Sequence, residues 1–189
     1  MIARSIVAAL GLVAVASTAA AEDAGLEWKR VSATASKIRV RDSELADRAR
    51  YFTAQTSDYS ANLHIARVTT AAHRGDRLQI LYIELLPGRH FQSKYDVEKV
   101  LGWKPMTDGH AREIDRFSVA THPGVYDVLT FMLDGNVPCA AFSTSWGTSG
   151  HEFSSAGTRQ ARGYGCEAGG AAFDRDRVKA MLDSLEYDD

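Results

Sequence analysis

Cysteine and proline are both scarce in this chain: two and four, respectively, in 189 residues. So few cysteines exclude a disulfide-dense mini-scaffold and a four-cysteine zinc site. No charge of one sign dominates, since 22 Lys and Arg stand against 24 Asp and Glu. A nucleic-acid binder should carry a basic stripe and a membrane-surface protein a basic amphipathic helix; the sequence has neither, so no nucleic acid is expected as a partner. Past residue 21 no apolar run approaches the ~20 residues of a spanning helix, so no membrane span is expected once the first segment is removed. Internal repeats and polar linkers long enough to divide the chain are also missing.

Catalytic signatures are equally thin. His151-Glu152 has no second histidine one turn later, so the H-E-x-x-H zinc pattern is absent. Gly147-Thr148-Ser149-Gly150 lacks the spacing of a nucleophile elbow, and no helix obviously follows it. Calcium needs a clustered acidic loop, which is missing. Gly163, Gly165, Gly169 and Gly170 fit neither G-x-G-x-x-G nor the P-loop with its lysine. They read instead as backbone that lets segments approach closely at a bridge. No catalytic residue, metal or cofactor is therefore assigned.

What is present begins at the front. Arg4 supplies a positive start, Ile6 to Ala16 an apolar run, and Ala19 and Ala21 an A-x-A-like cleavage site. That is the pattern of a secretory signal peptide over residues 1–21, followed by one domain over 22–189 that is periplasmic or secreted. In such a compartment an even cysteine count implies a bridge between Cys139 and Cys166.

The element pattern is α+β. A short strand is expected at 26–33 and a helix from Asp42 or Ser43, with Leu45, Ala49 and Phe52 as its apolar stripe. Strands follow at 61–71 and 77–86, joined by a turn at His73-Arg74-Gly75-Asp76. The second is apolar on both parities, which places it centrally in a sheet covered on both faces. Ser93 and Asp96 form a capping-box pattern before a helical stripe of Val97, Val100 and Leu101. Four more strands are expected at 113–121, 125–133, 137–145 and 159–166, with Asp134-Gly135-Asn136 as a hairpin turn. A last helix starts at Asp174, staples Phe173 to Val178, and buries Val178, Met181, Leu182 and Leu185. The fold expected is an antiparallel sheet of about five to six strands with two or three short helices, one of them C-terminal, and one disulfide.

The richest candidate for function is Ser143–Gly157, a Ser, Thr and Gly stretch around Trp146, His151, Glu152 and Phe153. It lies between two expected strands inside the disulfide loop, and loops on rigid scaffolds often carry function. Two function classes follow. One is a non-catalytic binding domain for a protein, an envelope polymer or a small ligand, with Trp146, Phe153 and Tyr164 as aromatic anchors beside His151 and Glu152. The other is an exported hydrolase whose site is assembled from distant residues, with His151 as base and Glu152 as acid.

Overall fold

The structure, a computed structural model, describes residues 26–58, 60–69, 76–147, 156–167 and 172–188. The signal-peptide segment 1–21, the His73-Arg74-Gly75 turn and the trio His151, Glu152 and Phe153 lie outside the described residues. Ten strands occur among the described residues: β1 (Lys29–Val31), β2 (Ile38–Val40), β3 (Ala49–Gln55), β4 (Ala61–Thr69), β5 (Asp76–Leu85), β6 (Ala111–Thr121), β7 (Gly124–Leu133), β8 (Val137–Trp146), β9 (Arg159–Cys166) and β10 (Leu185–Tyr187). The helices among the described residues are α1 (Ser43–Ala46), α2 (Lys104–Thr107) and α3 (Arg175–Asp183), with 3-10 turns at Ala33–Ala35 and Val97–Gly102.

Eight strands form one antiparallel sheet in the order β1-β3-β4-β5-β9-β8-β7-β6, rather than the five or six expected. Two consecutive meanders, β3-β4-β5 and β6-β7-β8-β9, meet where β5 pairs with β9, and the short β1 flanks the first. β3 lies where the sequence pattern predicts the continuation of a helix. Leu45, Ala49 and Phe52 imitate a helical stripe, but α1 ends at Ala46 and the Tyr51-Phe52-Thr53 run goes extended. Aromatic and β-branched side chains suit a pleated surface, and β4 supplies the backbone partners. Asp42 caps the short α1, accepting from the Glu44 and Leu45 amides at 2.9 and 3.2 Å.

Core residues cover both faces of the sheet. On one, Ile80, Tyr82, Val128 and Phe142 pack under Val178 and Leu182 of α3 and under the two-stranded β2-β10 pair, through Ile38 and Tyr187. On the other, Leu63, Leu81, Leu129, Phe131 and Tyr164 meet Val97, Val100, Trp103 and Met106. This second cover is a 3-10 turn followed by the four-residue α2, not an α-helix, and Asp96 rather than Ser93 caps it through the Glu98 amide at 3.0 Å. Segments that short are marginal alone; burying each large apolar side chain contributes about 1.5–3 kcal/mol and holds them down.

The hairpin turn at Asp134-Gly135 takes positive φ at both residues, 52° and 79°, as a primed turn requires. In α3, Asp174 caps the helix through the Arg177 amide at 2.8 Å. Leu185 is buried but belongs to β10, which pairs with β2 rather than extending α3. Cys139 and Cys166 are bonded and sit directly opposite each other on β8 and β9. The glycines of β9 serve the neighbouring elements rather than that bridge. A Cβ at Gly163 would lie 2.2 Å from the Gln79 carbonyl oxygen of β5, and one at Gly165 would lie 2.4 Å from Met181 Sδ of α3.

The outer edge of the sheet is β6, whose register shifts between Glu113 and Asp115. Its exposed order Arg112, Glu113, Ile114, Asp115, Arg116 reads the same in charge from either end. Two copies pairing antiparallel about Ile114 would set Arg112 against Arg116 and Glu113 against Asp115. Like charges opposed across strands are destabilising, so bulge and charge together discourage edge-to-edge association.

Candidate functional site

Register brings a polar row to one end of the sheet. Gln55, Asn62, Glu84, Arg159 and Trp146 are successive cross-strand neighbours on β3, β4, β5, β9 and β8, and therefore share one face. One row further in lie Thr53, His64, Tyr82, Ala161 and Thr144. Lys37, just before β2, reaches over this corner. Its Nζ meets Glu84 at 3.1 Å, and its amide donates to His64 Nδ1 at 3.4 Å. Arg159 Nε approaches the same carboxylate at 3.6 Å, and Gln55 donates to Asn62 at 3.3 Å. Glu84 thus stands between two cations, with its side chain 18% exposed.

Trp146 closes the row. Its ring lies 5.1 Å from Tyr187 and 5.7 Å from Tyr82, and those two tyrosines are 5.9 Å apart. Tyr82 is fully buried and Tyr187 nearly so, whereas Trp146 is half-buried. Beneath them the phenols of Tyr126 and Tyr187 face each other without a hydrogen bond of normal geometry, and burial pushes both well above their usual range. The chain leaving Trp146 is fastened at its base. Thr158 donates to the Trp146 carbonyl at 3.0 Å, and Ala156 and Gly157 bond Phe91 in both directions at 2.9 Å. The Trp146 end of the candidate loop is therefore anchored to the sheet and to the segment after β5.

The structure does not bring Tyr164 to this corner. Five residues beyond Arg159 on the same strand, it faces the opposite side, is fully buried, and meets Trp103 edge-on at 6.1 Å. It packs the second core rather than offering an exposed anchor. Nothing in the sequence pattern marks Lys37, His64, Arg159 or Tyr187 as neighbours of Trp146. One signal points to Glu84, a carboxylate directly after the apolar run Ile80 to Ile83 in the central strand.

His64 is the site's titratable core residue. Burial holds its pKa below the ordinary value of 6.5; the nearby Glu84 opposes that shift and Lys37 reinforces it. Its neutral ring accepts at Nδ1 from the Lys37 amide, which leaves the proton on Nε2. The unfolded chain binds this proton more readily than the folded one. Stability should therefore fall as pH drops below about 6.5, towards the folded-state value. Thermal melts between pH 5.5 and 7 should show this slope in the native chain and a shallower one in His64→Gln; equal slopes would remove His64 as the cause.

Chemically, the corner offers an aromatic surface beside donors on Arg159, Lys37 and Gln55 and acceptors on Glu84 and Asn62. Among the described residues no three His, Cys, Asp or Glu side chains converge as a metal site. No helix among those residues is long and apolar enough to cross a membrane. No protein-family model matches the chain, and no curated protein or solved structure is detectably similar to it.

Proposed function

We propose that this chain is an exported, non-catalytic binding domain that recognises a polar envelope polymer through the corner built on Trp146. The observation that carries the reading is the juxtaposition of a half-buried Trp146 with the polar row from Gln55 to Arg159. A ring backed by buried tyrosines has little freedom left to lose on binding, and flanking donors and acceptors suit a hydroxyl- or amide-rich chain. Export is supported by the leader pattern of residues 1–21 and by the Cys139–Cys166 bridge, which suits an oxidising compartment.

The test is co-sedimentation of the protein with insoluble envelope polymer. Trp146→Ala should weaken binding about 30-fold, the scale of a hot-spot residue near 2 kcal/mol. The melting temperature should fall by less than about 4 °C, the equivalent of roughly 1–2 kcal/mol at this chain length. A fall of about 10 °C with unchanged polymer affinity would make Trp146 a strut of the core and sink the reading.

A further inference from the structure

A second feature lies at the far end of the same central strands. Leu78 and Glu84 are six residues apart on β5, so about 20 Å separates it from the Trp146 corner. Here α1, α3, the start of β5 and the end of β9 line an open-mouthed cavity of about 230 Å³. Its body is apolar, made by Leu45, Leu78, Phe173 and Met181. Gly165 permits this arrangement, because its missing Cβ leaves room for Met181 against the sheet.

Four charged side chains line the same cavity: Asp42, Arg77, Glu167 and Arg177. Three have work within the fold. Asp42 caps α1, and Glu167 pairs with Arg177, whose guanidinium also lies 5.3 Å over the Phe173 ring. Arg77 is half-buried and has no ion-pair or hydrogen-bond partner among the described residues. A guanidinium beside an apolar chamber is complementary to an anion with an apolar body, and its planar fork suits a carboxylate. At about 30 Å³ per water-sized group, the chamber holds some seven or eight such groups.

We propose that this cavity binds a small amphiphilic carboxylate of about six to eight carbons, its apolar body among Leu45, Leu78, Phe173 and Met181 and its carboxylate on Arg77. Calorimetric titration of the full-length domain with octanoate, and in parallel with octanol, tests it. Octanoate should bind saturably, one per chain, with a sub-millimolar Kd, and octanol at least tenfold more weakly. Arg77→Gln should weaken octanoate about tenfold or more and leave octanol unchanged. Ala180→Phe, at an exposed helical position on the cavity wall, should block both ligands while the melting temperature stays near that of the native chain. Non-saturating heats, octanol bound as tightly as octanoate, or octanoate affinity unmoved by either substitution would each overturn the assignment.

Discussion

Replacing Cys139 and Cys166 together by alanine should lower the folding free energy by about 3.5 kcal/mol. The figure follows from the 27-residue separation of the bridged positions, through the entropy that the cross-link removes from the unfolded chain. For a domain whose net stability is on the order of 10 kcal/mol, that is a large share. At this chain length it corresponds to a loss of about 7–14 °C in melting temperature. Both cysteines are buried on the face covered by Trp103 and Met106, so truncation also loosens packing there. Denaturant unfolding of the double variant, beside the native chain with and without reductant, measures the effect. The reduced native chain should lose about 3.5 kcal/mol and the variant somewhat more; a loss under about 1 kcal/mol in both would mean that β8-β9 pairing alone closes the loop.

The second large effect belongs to Gly163, which faces β5 in the middle of the sheet. An added methyl would sit 2.2 Å from the Gln79 carbonyl oxygen, 3.0 Å from the Ile80 Cα and 3.0 Å from the Phe142 ring. Two of the three obstacles are backbone of a strand clamped between β4 and β9, so it cannot step aside without disturbing both ladders. Gly163→Ala should therefore cost about 3 kcal/mol or more, at the upper end of overpacking effects. Gly102→Ala is the control: nothing lies within 4 Å of its Cβ, and the change should be neutral or slightly stabilising. Equal melting temperatures for the two variants would contradict the close β5-β9 approach.

Much of the fold is legible in the residues, and the reasons differ by element. The second meander announces itself through alternation and turn chemistry. Strands expected at 113–121, 125–133, 137–145 and 159–166 are found within two residues of those bounds, and Asp134-Gly135 takes the primed-turn geometry its residues favour. The central place of β5 follows from its apolar residues on both parities. β3 escaped because its apolar spacing satisfies a helix while its aromatic and β-branched residues favour a strand, and tertiary pairing decides between them. β2 and β10 have three residues each, too few to show a period. The site is legible only at Trp146. Lys37, His64, Glu84 and Arg159 are scattered through the chain, and only the register of β4, β5 and β9 makes them neighbours.

The junction between β5 and β9 has a consequence for how the chain reaches this state. Within each meander the pairing partners are close in sequence, but residues 78–84 must wait for residues 159–165. As the chain emerges N-terminus first, β5 appears early with β4 along one flank and an open, greasy flank on the other. Such a half-finished surface is slow to close and prone to recruit strangers, because distant partners must find each other by diffusion of the chain. Shielding that flank until β9 docks should therefore raise the yield of this protein.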